Sequence, residues 1–250
     1  MIFSLSTLMS RCIRFVLIGG TACHLNLEEQ GLPFRTTKDL DIVLLLDMEM
    51  VDKQFTQLFW EFIRNGRYTL KQRSSGKPLF YRFEKPENKA YPFMIELFSR
   101  KLENLELHGD SQCTPIPAEG ELSSLSAILL TNEYYDLIRS SLKKVNGVNI
   151  VTPVCLIALK ARAYLDLNGR KSKGEDVDSD KIKKHKNDVF RISLLVSPEN
   201  HIVLAPLIRD DLKKFVDLMR KNPPDLKSLG IKSVTTGDIL DLISNVFGIS

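Results

Sequence analysis

Residues 39–46 (DLDIVLLL) constrain this chain more than any other stretch, because two aspartates one residue apart open an almost wholly apolar run. An apolar run without alternation is expected of a central strand covered on both faces. On a strand, residues i and i+2 face the same way, so Asp39 and Asp41 project from one side near the strand's start. At ~4 Å two like charges repel by roughly 1 kcal/mol in water and several times more inside a protein. A cation relieves that repulsion. The hard, oxygen-seeking choice is Mg2+ (or Mn2+), held by carboxylates together with phosphate oxygens. The competing reading is a solvated acidic strand end, or salt bridges to Arg35 and Lys38.

Upstream, residues 14–18 (RFVLI) form another apolar run that ends at Gly19-Gly20, and residues 21–30 follow with helical spacing. A strand running through Gly-Gly into a helix lets backbone N–H groups approach a phosphate, and the helix N-terminus adds about half a positive charge. Gly-Gly alone usually marks only a tight turn. It is not a Walker A loop, since no Gly-Lys-Ser/Thr follows. Residues 51–65 are expected to form an amphipathic helix, with Phe55, Leu58, Phe59 and Phe62 at three- and four-residue steps. Residues 66–73 and 77–84 read as strands around a Ser-Ser-Gly turn, and residues 91–99 (YPFMIELFS) as a third core strand. Glu96 lies mid-strand among apolar residues, where a carboxylate is costly to bury unless it is paired or on a metal. Beside 39–46 it would complete a three-carboxylate cluster; on an edge strand it would face water.

Residues 114–121 (TPIPAEGE) read as a turn-rich connection. Residues 126–131 and 149–152 look extended, with Asn146-Gly147 as a hairpin signal between 134–145 and 148–152. Pro153 opens a helix over 154–167; further helices are expected over 182–196, 207–221 and 236–246, the last capped by Thr235 or Thr236. Residues 168–180 (NGRKSKGEDVDSD) are expected to be an exposed, mobile loop. The class is therefore α/β (α+β): a small mixed sheet flanked by helices over residues 1–115, then a mainly helical region over 116–250 with an extended or hairpin segment near 126–152.

Bulk properties narrow the rest. A net charge of +4 permits anionic ligands without requiring them. Cys12, Cys23, Cys113 and Cys155 are scattered, with no Cys-x-x-Cys pair, so neither a zinc site nor a disulfide framework is expected and a reducing cytoplasm fits best. His24, His108, His185 and His201 show no ligand spacing. Arg11 and Arg14 interrupt the apolar N-terminus, so residues 1–12 are read as a helix, whose natural beginning could lie upstream, rather than as a signal peptide. No stretch approaches the roughly 20 apolar residues of a membrane span. The basic run 181–186 (KIKKHK) reads as a solvated helix start that could also attract RNA phosphates.

Taken together, the apolar strand, Gly19-Gly20-Thr21-Ala22, a helix, Arg35-Thr36-Thr37-Lys38-Asp39-Leu40-Asp41 opening a second apolar strand and a carboxylate on a later strand resemble the nucleotidyltransferase-fold superfamily. The likeness is to the branch of AbiEii-type toxin nucleotidyltransferases, over roughly residues 13–98. The resemblance implies that Gly19, Gly20 and Thr21 contact a nucleoside triphosphate, that Arg35 and Lys38 lie near its phosphates, and that Asp39, Asp41 and Glu96 hold the divalent metal. It also implies a lysine on the helix after the core, matched by Lys160, which would bind the triphosphate as a point charge. An aspartate on the following helix is matched by Asp188, which would orient Lys160 or assist the attacking group. In this part the match is looser, with Lys186-Asn187-Asp188 in place of an expected Lys-Asp pair. The activity so implied is Mg2+-dependent NMP transfer from an NTP to an RNA, protein or small-molecule acceptor, in a toxin that an antitoxin would neutralise. A catalytically inactive nucleotide-binding or scaffold protein on the same fold is the alternative.

Overall fold

The computed structural model describes residues 15–35, 37–45, 53–72, 78–100, 113–115 and 126–249. The expected helix over 1–12, Arg14, Thr36, Leu46, the Ser-Ser-Gly turn at 74–76, His108 and most of the 114–121 connection lie outside the described residues. The protein is mixed α/β and divides into two compact units: residues 1–25 with 35–151, and residues 26–34 with 152–250.

The first unit is built on a mixed sheet. Its strands are β1 (Phe15–Ile18), β2 (Asp39–Leu44), β3 (Thr69–Gln72), β4 (Pro78–Glu84), β5 (Met94–Arg100), β6 (Cys113–Pro115), β7 (Ser126–Leu130), β8 (Leu142–Val145) and β9 (Val148–Val151). The main order is β3-β4-β5-β2-β1-β9-β8, and β7 pairs with β5 and β6. β2 lies in the interior, antiparallel to β1 and parallel to β5. All four residues of β1 are buried, as expected for a strand covered on both faces. β5 instead alternates, burying Ile95, Leu97 and Ser99 and leaving Met94, Glu96 and Phe98 partly open. It begins at Met94 rather than Tyr91, behind Pro92, which has no N–H to donate to a ladder.

This alternation gives the sheet two chemically different faces. One register row runs Phe83–Ile95–Leu40 across β4, β5 and β2, all fully or almost fully buried. Helix α2 (Lys53–Gly66) adds to this core with Phe59, Phe62 and Ile63, and the Phe59 and Phe83 rings meet edge to face at 5.4 Å. Phe55 belongs to the same helix, but its side chain is outside the described residues. The neighbouring row runs Arg82–Glu96–Asp41 on the opposite face. Helix α1 (Gly19–Glu29) follows β1 with no intervening loop.

The boundary expected near residue 115 moves to 151, because the later strands find their partners in this sheet. β7 pairs parallel to β5, and β9 parallel to β1 through Leu17 and Ile150. Residues 132–140, which the hairpin reading had placed in an extended segment, form helix α3 (Asn132–Ser140), whose Tyr134, Tyr135 and Ile138 are buried on one side. The β8–β9 hairpin itself is present, with positive φ at Asn146 (50°) and Gly147 (80°), the signature of the primed turns that suit its twist. An added Cβ at Gly147 would meet nothing within 4 Å. Gly147→Ala is therefore expected to cost about 1–2 kcal/mol of stability purely through backbone strain, measurable by denaturant unfolding.

The second unit contains α4 (Pro153–Ser172), α5 (Ser179–Ser193), α6 (Pro206–Lys221) and α7 (Thr236–Phe247), with a 3-10 turn at Lys227–Leu229. Its core includes Phe190, Phe215 and Tyr164, the Tyr164 and Phe215 rings lying 5.4 Å apart and nearly perpendicular. α4 runs five residues into the segment read as a loop, so the connection to α5 shrinks to residues 173–178. Arg170 supports that last turn by reaching Asp166 one turn back (3.9 Å) and Glu175 ahead (2.7 Å). α7 opens with a capping box between Thr235 and Asp238. The Thr235 backbone N–H and then its hydroxyl hold the Asp238 carboxyl below its ordinary 3.8. A depressed carboxyl pKa stabilises the fold above the unfolded value, and that contribution is lost as pH falls through the folded one. Asp238→Asn, which removes the titrating carboxyl, is thus expected to flatten the acid side of the melting-temperature profile below about pH 4.

Candidate functional site

Gly19 is the pivot of the site. Its φ of 66° lies in the left-handed region, where glycine is favoured, and a Cβ placed there would fall 1.8 Å from Oδ2 of Asp41. The carboxylate of Asp41 therefore rests against the backbone at the start of α1, in space that any side chain at 19 would fill. Ile18 is the register partner of Asp41 across β1 and β2, which explains the approach: the strand pair delivers Gly19 beside the aspartate. The next glycine is crowded too, though less closely. A Cβ at Gly20 would lie 2.7 Å from the Thr37 hydroxyl and 3.6 Å from an Arg35 guanidinium nitrogen.

The segment before β2 is tied to the same helix start. The Thr21 hydroxyl donates to the Asp39 carbonyl at 3.0 Å, and the Thr37 hydroxyl donates to it at 3.4 Å. Asp39 and Asp41 alternate with the buried Leu40 and Ile42, and both remain partly exposed. Lys38 is exposed at the strand's threshold. Gly19, Gly20, Thr21, Arg35, Lys38, Asp39 and Asp41 thus occupy one region of the first unit, as expected from their order in the chain.

Glu96 takes its expected place beside Asp41 and is also engaged by an arginine. It is not on an edge: β5 lies between β4 and β2, and Glu96 is the register partner of Asp41 on one side and Arg82 on the other. The carboxylate, only 12% exposed, is held by Arg82, whose Nε–H donates to Oε1 and whose terminal nitrogen pairs with the same oxygen. Another guanidinium nitrogen of Arg82 lies 3.9 Å from Glu84. Among the described residues no group of three His, Cys, Asp or Glu side chains is arranged to hold a metal ion. Asp39 and Asp41 offer hard oxygen donors on a shared face, and Glu96 beside them has its charge balanced by a guanidinium. Arg82 did not stand out in the sequence. Its signal was the alternation within 78–84, which puts Arg82 and Glu84 on one face.

Compared with protein-family models, curated proteins and solved structures, the chain finds no match. The site is therefore read from its chemistry.

Lys160 and Asp188 belong to the second unit. Both are buried and paired: Lys160 Nζ lies 3.2 Å from Asp188 Oδ2, with side chains 5% and 0% exposed. Arg191 approaches the other oxygen of Asp188 at 4.0 Å. A second cross-helix pair, Arg162 with the buried Asp211 at 3.0 Å, links α4 to α6. In the basic run, burial and the neighbouring Lys183 push the Lys186 ammonium below its ordinary range. Among the described residues no helix is long and apolar enough to cross a membrane. Cys23 and Cys155 are buried and not joined in a disulfide.

Proposed function

We propose that this chain is a Mg2+-dependent nucleotidyltransferase that moves an NMP group from an NTP to an acceptor hydroxyl. The observation behind the proposal is the placement of Asp41 against the positive-φ Gly19 at the start of α1, with Asp39 on the same face of β2. Asp39 and Asp41 would hold the cation. Bound there, it would neutralise triphosphate charge and stabilise the oxygens entering and leaving the α-phosphorus. The α1 N-terminus would receive the phosphates at Gly19-Gly20, whose missing side chains leave room there for Asp41, Thr37 and Arg35. Arg35, beside Gly20, and the exposed Lys38 add positive charge. The acceptor oxygen bonds to the α-phosphorus as the bond to the bridging oxygen breaks, pyrophosphate departs, and the hydroxyl proton passes to a site carboxylate or water.

Lys160, as a triphosphate contact, and Asp188, as its orienting partner, enter through the resemblance; the 3.2 Å pair between them supports the orienting half. The acceptor class stays open among RNA, protein and small molecules, as does action as a cytoplasmic toxin restrained by an antitoxin. A second reading is a nucleotide-binding protein that performs no transfer. The observation favouring it is the Arg82–Glu96 ion pair, which engages the carboxylate expected as the third metal ligand. Incubating the full chain with radiolabelled NTPs, Mg2+ and a cellular RNA and protein pool tests transfer. Asp41→Ala is expected to lower labelling about a hundredfold to a thousandfold, in line with losing a major charge-stabilising group. Labelling that survives Asp41→Ala sinks the assignment; absent labelling with intact nucleotide binding favours the second reading.

A further inference from the structure

We infer that Glu96 serves Arg82 rather than a metal, so that divalent-cation binding on this sheet face depends on two carboxylates, Asp39 and Asp41, and is held down by Arg82. The inference rests on the function proposed above and assigns Arg82 as its positioning residue.

The row Asp41–Glu96–Arg82 crosses three adjacent strands in register, so the three side chains leave the same face at successive strand spacings. Glu96 stands between a carboxylate and a guanidinium. With one neighbour it would share a cation; with the other it forms an ion pair. Arg82 engages one oxygen of Glu96 through two of its nitrogens, with the carboxylate 12% exposed and the arginine 27%. Paired, partly buried charges of this kind are screened little by solvent, and separating them leaves both undersolvated. Glu96 is therefore charge-balanced before any cation arrives. A metal recruiting it would have to detach it from Arg82 and leave a half-buried guanidinium whose other acidic neighbour among the described residues, Glu84, lies 3.9 Å away. Cation affinity in oxygen-ligand sites follows the number of charged ligands, so a two-carboxylate site beside an arginine is a weak one.

Binding of Mn2+ alone to the full-length chain, followed by electron paramagnetic resonance of free Mn2+, tests this without an activity assay. Glu96→Gln removes the charge but keeps the shape and a hydrogen-bond acceptor for Arg82. It is expected to bind Mn2+ within about threefold of wild type, whereas Asp41→Asn weakens binding at least about tenfold. Arg82→Met frees Glu96 and is expected to tighten Mn2+ binding about tenfold. Circular dichroism of each variant reports folding, and if Arg82→Met does not fold, the comparison of Glu96→Gln with Asp41→Asn decides. Loss of Mn2+ binding in Glu96→Gln equal to that in Asp41→Asn would overturn the inference and leave the proposed function standing. Unchanged Mn2+ binding in Asp41→Asn overturns the functional reading itself.

Discussion

Gly19→Ala is expected to lose cation-dependent nucleotide binding by roughly a hundredfold while becoming only about 1–2 kcal/mol easier to unfold. The two effects have separate causes. At φ 66° any L-residue meets the left-handed penalty, which acts on stability. The added methyl would also lie 1.8 Å from Asp41 Oδ2, 2.8 Å from Cγ and 3.1 Å from Cβ. Turning the carboxylate aside relieves the first two contacts but not the third, so Asp41 must leave its position for the backbone to stay. Gly147→Ala supplies the internal control: it has the same kind of penalty at φ 80° and open space around the new methyl. Equal stability losses with binding lost only at Gly19 would separate strain from site geometry. Equal binding in both variants would mean that Asp41 does not need its place against the glycine.

Asp188→Ala is expected to destabilise the chain by about 3–5 kcal/mol, because it strips a carboxylate partner from a lysine that is 5% exposed. Against a total stability of about 5–15 kcal/mol, that loss brings the second unit close to unfolding at ambient temperature. Asp188 itself is fully buried, with Lys160 at 3.2 Å and Arg191 at 4.0 Å on its two oxygens. Lys160→Met combined with Asp188→Leu removes both charges and keeps volume, and is expected to recover most of the stability. Urea unfolding of the single and double variants measures this. A single variant within about 0.5 kcal/mol of wild type would show that the pair contributes no coupling of the expected size.

Much of the site was legible because it is local. Asp39-Leu40-Asp41 needs only the two-residue period of a strand, and Gly19-Gly20 needs only the junction of an apolar run with a helix. Glu96 was half legible. Alternation within 91–99 separated it from Ile95 and Leu97, and β5 does lie beside β2. Arg82, however, comes from a strand whose antiparallel register with β5 is set by a non-local pairing, so its hold on Glu96 had no sequence signature. The same holds for Lys160 and Asp188, whose burial depends on α4 packing against α5. Local propensity misled at residues 168–172, where Asn168 and Gly169 suggested a loop, yet Arg170 and the Ser172 hydroxyl, which donates to the Asn168 carbonyl at 2.9 Å, complete a helical turn. α3 was missed where the turn signal at Asn146-Gly147 drew the whole preceding segment into a hairpin arm.

The central claim is that Asp39 and Asp41 hold a divalent cation for a nucleotide seated at Gly19-Gly20. Calorimetric titration of the full chain with an NTP, with and without Mg2+, tests it directly when repeated on Asp41→Asn. The account predicts Mg2+-dependent binding that weakens at least about tenfold, ~1.4 kcal/mol, both without the metal and in the variant. Nucleotide binding that is indifferent to Mg2+ and to Asp41→Asn would contradict it.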